Sequence, residues 1–289
     1  MIRNIILSVC LVLLCSGCTN QMNEGKTWID KEMILNKSRN QKGILTLPKE
    51  KNTDAMVVLL SGSGPNDADY TIDGVGLYAE LAHGLAEYGI SSIRMDKRSY
   101  VCDEEIKNIQ QEIIDDALLV LKKMKHKYDR VYVLGHSLSA ITLPVFQADG
   151  LISLSGSMRE VEEIYAFQLM KNADKQEQFQ IQEELKMIQS LKEDRGFCWF
   201  GIKESYWLSL DELHLKDAWS HLNIPVLAMH GSADDIIEAK ELSGYQKLLK
   251  ENATCVLIDG LDHYLRAPGS LHLDDSVILQ IASWILKSS

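Results

Sequence analysis

Apolar residues fall in two rhythms along this chain. Short segments at 55–60, 90–95, 131–134, 150–154, 225–229 and 253–258 read as strands, and 55–60 is a continuous apolar run of the kind a strand buried on both faces shows. Between them, apolar residues recur at helical spacing. The first such stretch is 75–88, stopped by Gly89, and the second is 107–126, where Ile109, Ile113, Ala117, Val120, Leu121 and Met124 share one face. Further helices are expected near 238–250 and 272–287. Ahead of all these, Ile34, Ile44, Leu45 and Leu47 flank the polar stretch 37–42, which predicts an antiparallel hairpin ending at Pro48. Regular alternation of strand and helix predicts an α/β fold, with a mostly parallel central sheet and helices on both faces.

The alternation stops between Gly156 and about Leu222. Residues 161–191 are rich in Gln, Glu, Lys and Met with Leu, Ile and Phe at helical intervals, and Phe197, Trp199, Phe200, Tyr206 and Trp207 follow. This predicts a helical insertion at 157–222, between core segments 19–156 and 223–289. Lying over the carboxyl edge of the sheet, it would form a lid. Its aromatics, Tyr206 and Trp207 foremost, are either part of a substrate wall or the lid's own core.

Residues 1–18 read as a signal peptide and not as part of the fold. Arg3 supplies the positive start, 5–14 the apolar stretch, and Ser16-Gly17-Cys18 resembles a lipobox, which would make Cys18 a lipidation site. An extracytoplasmic protein is expected, either anchored to the membrane by an N-terminal lipid or secreted. The six cysteines then shrink to Cys102, Cys198 and Cys255, too irregularly spaced for a disulfide framework or a zinc site. Cys102 and Cys198 fall near the presumed site face as two free thiols or a bridge, and Cys255 reads as a small buried hydrophobe. Over 289 residues the formal net charge is -11, which argues against nucleic acid as a partner.

The candidate chemistry gathers at strand ends. After the run at 131–134 comes Gly135-His-Ser137-Leu-Ser139, a strand-to-helix elbow of the kind that exposes a serine hydroxyl beside a helix N-terminus. Ser139 stands where the full G-x-S-x-G pattern has glycine. Ser61-Gly-Ser-Gly-Pro65 after the run at 55–60 is a candidate oxyanion loop, with the Ser63 amide as first donor. A serine needs a base, and the base needs an orienting carboxylate. Of eight histidines, His263 stands on a loop after a buried strand and is the candidate base, ahead of His272; His136 points away from the serine. Asp234, in the loop after 225–229, is the candidate acid, with Asp235 its rival.

Taken together and in this order, these residues resemble the α/β-hydrolases, closest to carboxylesterase and serine aminopeptidase-like lipoproteins. The resemblance rests on Ser61–Pro65 with Asp67 and Asp69, Arg94-Met-Asp-Lys-Arg98, Gly135-His-Ser137, Gly231 with Asp234, and Gly260 with His263. It implies Ser137 as nucleophile, Asp234 as acid, His263 as base, and the Ser63 and Leu138 amides as oxyanion donors. It implies a serine hydrolase acting on small carboxylic esters through an acyl-enzyme, with no metal and no cofactor. Hydrolysis of short peptides or amides by the same triad is the alternative within enzymes, and a noncatalytic envelope binding module is the alternative outside them. Ser139, and Ser99 where the family has glycine after Asp-Lys-Arg, would narrow the site.

Overall fold

The computed structural model describes residues 25–102 and 105–287, so the signal-peptide and Cys18 expectations lie outside the described residues. The chain opens on a hairpin of β1 (Trp28–Asn36) and β2 (Gln41–Pro48). It continues through β3 (Ala55–Leu60), α1 (Leu77–Glu87), β4 (Ser91–Met95), α2 (Asp115–Lys125), β5 (Arg130–His136), α3 (Leu138–Ile141) and β6 (Gly150–Leu154). Four helices follow: α4 (Val161–Met170), α5 (Lys175–Gln189), α6 (Glu204–Asp211) and α7 (Leu215–Ser220). Then come β7 (Val226–Gly231), α8 (Leu242–Leu249), β8 (Ala253–Ile258) and α9 (Asp275–Lys287).

The eight strands form one sheet in the order β1-β2-β4-β3-β5-β6-β7-β8. Strand β2 is antiparallel to both neighbours, and every pairing from β4 across to β8 is parallel. The carboxyl ends of β3, β5, β7 and β8 therefore lie on one edge. Successive side chains of a strand point to opposite faces. In β3, Met56, Val58 and Leu60 accordingly join one core with α2 and α8, while Ala55, Val57 and Leu59 join the other with α1 and α9. Burial on both faces is why β3 reads as a continuous apolar run.

Differences from expectation are local. Helix α1 starts at Leu77 because Val75–Gly76 pairs with Thr71–Ile72 in a small hairpin. The stretch expected as helix 107–126 opens on a π-helical turn, Gln110–Ile114, where the Ile109 amide donates to Ser209 Oγ at 3.0 Å. Helix α9 starts at Asp275, after Asp274 accepts from the Ser276 amide at 3.0 Å. Within the insertion, the first part of the aromatic stretch is a two-stranded hairpin, Cys198–Trp199 with Ile202–Lys203, while Tyr206 and Trp207 lie in α6. Phe200 and Gly201 supply the two positive φ values, 53° and 74°, that a two-residue hairpin turn requires. Cys102 and Cys198 are free thiols, as is Cys255, so the bridge between the first two does not form.

Candidate active site

Ser137 sits between β5 and α3 with φ 55° and ψ -119°, a conformation that a non-glycine residue adopts only when its surroundings impose it. The surroundings here are specific. The Ser137 amide donates to the Leu154 carbonyl at 3.0 Å, tying the elbow to β6. Two residues before, a Cβ on Gly135 would lie 2.6 Å from the Ser139 carbonyl carbon and oxygen, so the returning chain requires glycine there.

His263 Nε2 lies 3.1 Å from Ser137 Oγ. Its Nδ1 lies 3.0 and 2.9 Å from the two oxygens of Asp234. A proton on Nδ1 satisfies the carboxylate and leaves the Nε2 lone pair to accept from the serine hydroxyl. Asp234 is itself held, because Oδ1 accepts from the Ile236 and Ile237 amides, each at 2.9 Å. Burial pushes this carboxyl upward, but the bonds from His263 and the two amides outweigh it and hold the group below its ordinary range. Its rival Asp235 is exposed and faces Lys171, and His272 lies at the surface against Glu80. The loops bearing Asp234 and His263 cross at Gly231, where a Cβ would stand 2.1 Å from the Leu261 carbonyl oxygen.

Ser63 and Leu138 both line the cavity that contains Ser137 and His263. Leu138 is the first residue of α3, where the helical ladder offers its amide no partner. The loop carrying Ser63 is fixed from beneath. Asn66 Nδ2 and Lys97 Nζ donate to the Gly62 carbonyl at 3.0 and 2.6 Å, and Asp96 accepts from the Ala68 amide at 2.8 Å. Buried Arg94 bonds Asp69 at 2.7 Å. Asp69, Arg94, Asp96 and Lys97, among the charged residues on which the family resemblance rested, thus brace this loop and the segment that follows it. Ser139, fully buried, joins them by donating to the Ser61 carbonyl at 2.5 Å and does not line the Ser137 cavity. Ser99 lines a neighbouring chamber.

His136 is the residue whose part the sequence concealed. It does point away from Ser137, and its Nε2 donates to the backbone carbonyl of His263 at 2.9 Å. Nδ1 accepts from the Tyr70 hydroxyl at 3.0 Å. Burial, with the neighbouring His263 ring second, lowers its pKa to about 3, so it stays neutral and keeps this pattern of donor and acceptor. It packs edge-on to the His263 ring, with centroids 4.8 Å apart. No sequence signal distinguishes such a histidine from any other in a strand.

Two chambers meet at Ser63, Gly64, Pro65, Leu138 and Tyr165. The first, about 390 Å³, holds Ser137 and His263 and is walled by Ile141, Val161, Ile164, Ile236 and Ile237. The second, about 490 Å³, is lined by Tyr206, Ile202, Ile106, Glu105 and Lys203. Tyr206 therefore occupies a wall position in the second chamber. Trp207 does not: it is 3% exposed, its ring packs edge-on against Tyr165 and Phe200, and the face it shows opens on a separate cleft with Ile188 and Leu210. One helical step turns adjacent side chains about 100° apart, and here that step carries Trp207 away from the chamber that Tyr206 lines. Among the described residues, no group of three or more His, Cys, Asp or Glu side chains is placed to hold a metal ion.

A doubly covered parallel sheet with a serine on a strained elbow at its carboxyl edge defines an α/β-hydrolase. The comparisons with known proteins agree. The chain is 30% identical over 287 residues to esterase EstD of Thermotoga maritima, covering 90% of this chain and 69% of that protein. Among solved structures, the esterase domain of a Rhodothermus marinus protein superposes with a TM-score of 0.61 at 15% identity, covering 90% of this chain and 98% of that one. Est1E of Butyrivibrio proteoclasticus, solved with ferulic acid bound, superposes with a TM-score of 0.59 at 17% identity, covering 86% and 95%. No family model matches. The chain belongs to the α/β-hydrolase superfamily, as a serine hydrolase of its esterase branch.

Proposed function

We propose that Ser137, His263 and Asp234 form the catalytic triad of an enzyme that cleaves small carboxylic esters through an acyl-enzyme. The observation that carries this reading is His263, with one ring nitrogen on Asp234 and the other 3.1 Å from Ser137 Oγ. Ser137 Oγ attacks the ester carbonyl carbon as His263 Nε2 takes its proton. The carbonyl oxygen becomes an oxyanion, which the Ser63 and Leu138 amides would receive. Collapse of that intermediate breaks the bond to the alkoxide, which takes the proton from His263. Water then attacks the acyl-enzyme with His263 as base, releasing the acid and restoring Ser137. Oxyanion donors of this kind contribute roughly 2.7 to 4 kcal/mol each to the transition state.

Several features favour an ester over a peptide. The chamber at Ser137 is walled by isoleucine, valine and tyrosine, and among the described residues no carboxylate lines it to receive a peptide's ammonium group. In the second chamber, Glu105 is paired with Lys203 and Glu112 with Lys97. The N-terminal pattern extends the reading to an enzyme held at the outer membrane surface through Cys18, for which loss of palmitate incorporation in Cys18→Ala is the test.

The catalytic reading predicts that a fluorophosphonate probe labels the wild type and not Ser137→Ala. If Ser137→Ala takes label as well as wild type, the triad is wrong. Asp234→Asn is expected to lower kcat roughly 10⁴-fold, the scale seen in serine proteases. A panel of short- and long-chain p-nitrophenyl esters, a feruloyl ester and aminoacyl p-nitroanilides decides between ester and amide. Preference for the anilides would replace the esterase reading with the peptidase one, and labelling without turnover of any would leave a binding module.

A further inference from the structure

Ser63 offers its amide hydrogen to the proposed oxyanion site, and the other end of that peptide unit is the Gly62 carbonyl. The described residues contain no cis peptide bond, so the carbonyl and the amide hydrogen of this plane point in opposite directions. On the buried side, the carbonyl accepts from Lys97 Nζ at 2.6 Å and from Asn66 Nδ2 at 3.0 Å. Lys97 is only 6% exposed, and its ammonium also bonds Glu112 Oε1 at 2.7 Å. The second Glu112 oxygen accepts from the Tyr206 hydroxyl, brought by helix α6 of the insertion. Tyr206 and Glu112 line the second chamber, which meets the first at Ser63.

A neutral donor is sufficient for a backbone carbonyl. Burying an ammonium and a carboxylate for the purpose is costly, and apolar residues of the same volume often serve stability as well. What a cation adds is polarisation: charge at the carbonyl oxygen draws electron density from the amide nitrogen and makes its hydrogen a stronger donor. We propose that Lys97 is a positioning residue for the reaction, fixing and polarising the Gly62–Ser63 peptide. Glu112 and Tyr206 hold Lys97 in place, so the insertion and the contents of the second chamber act on the oxyanion site through this chain of bonds. The inference rests on the reading of Ser137 as nucleophile and Ser63 as oxyanion donor.

The test uses Lys97→Met/Glu112→Leu, which removes both buried charges and leaves neither unpaired, together with Tyr206→Phe. The readouts are steady-state hydrolysis of p-nitrophenyl butyrate and inhibition by an aryl trifluoromethyl ketone, whose adduct with the serine places an oxyanion in the same site. The double variant is expected to lose roughly 10- to 100-fold in kcat. Its KM should move by less than about threefold, because the lost interaction acts in the transition state. Affinity for the ketone should fall in parallel with kcat, and Tyr206→Phe should show a smaller loss of both. A folded double variant with wild-type kcat overturns the proposal, and so does one that loses kcat but binds the ketone as wild type does. Should the double variant fail to fold, Lys97→Gln/Glu112→Gln keeps polar side chains at both positions and removes only the charges. A parallel fall in kcat and ketone affinity in that variant supports the proposal, and wild-type values of both overturn it. Ser137→Ala separates the two levels: if it keeps full activity the catalytic reading itself fails, and if it is inert while the double variant is fully active only the present inference fails.

Discussion

At the scale of single residues, the elbow depends on two small side chains with different duties. Gly135 has no space for a Cβ, because the atoms it would meet at 2.6 Å belong to the Ser139 backbone and cannot rotate aside. Gly135→Ala is expected to cost about 1 to 3 kcal/mol in denaturant unfolding and to slow fluorophosphonate labelling, since relief of the clash must move the turn. Ser139 stands where the G-x-S-x-G pattern has glycine, and its hydroxyl supplies the bond to the Ser61 carbonyl. Ser139→Gly leaves that buried carbonyl without this donor, at about 1 to 3 kcal/mol. The expected result is a lower melting temperature, with the oxyanion loop less well held and kcat reduced only modestly.

At the scale of elements, the hairpin of the insertion is organised by one carboxylate. Glu204, at the start of α6 and fully buried, accepts from the Arg195 and Phe197 amides at 2.7 and 3.3 Å and from the Trp199 indole at 3.1 Å. With the Arg195 guanidinium at 3.3 Å, four donors from 195–199 converge on this group, and a neutral amide in its place offers one acceptor oxygen where the carboxylate offers two. Glu204→Gln is therefore expected to speed amide hydrogen exchange across 195–203 while leaving exchange in β3, β5 and β7 unchanged. Uniform acceleration over the whole sheet would show that the hairpin is not an independent unit. Tyr206 sits two residues beyond this anchor on the same helix, so the chamber wall depends on it as well.

At the scale of the whole molecule, acid is the expected weakness. His136 has a folded-state pKa of about 3 against an ordinary 6.5, and burial lowers that of His230 too. A histidine kept neutral by folding takes up its proton more readily in the unfolded chain, so stability is lost as pH falls below the unfolded value. From His136 alone the loss is about 1.4 kcal/mol per pH unit between 6.5 and 3. Asp234, held below its ordinary 3.8, contributes stability that is present above that value and is lost beneath it, in the same direction. Urea unfolding between pH 7 and 4 should show a steep decline, shallower by about 1.4 kcal/mol per unit in His136→Gln. Equal slopes in the two proteins would mean that His136 is not neutral in the fold.

The sequence by itself determined the sheet, since strands buried on both faces are predominantly apolar and the helices between them carry one apolar stripe. It also marked Ser137, Asp234 and His263 as candidates, because a loop directly after a parallel strand opens on the same edge as every other such loop. Side-chain direction within an element of two or three turns carries no comparable periodic signal, so Tyr206 and Trp207 looked alike until packing turned one toward the chamber and the other into the core. The same limit hid His136, whose partner is a backbone carbonyl 127 positions away. It also hid the bonds from Lys97 to Gly62 and Glu112, over 35 and 15 positions. Such contacts exist only once the sheet has brought its strand ends together, and so the tertiary structure alone decides which polar residues surround the serine.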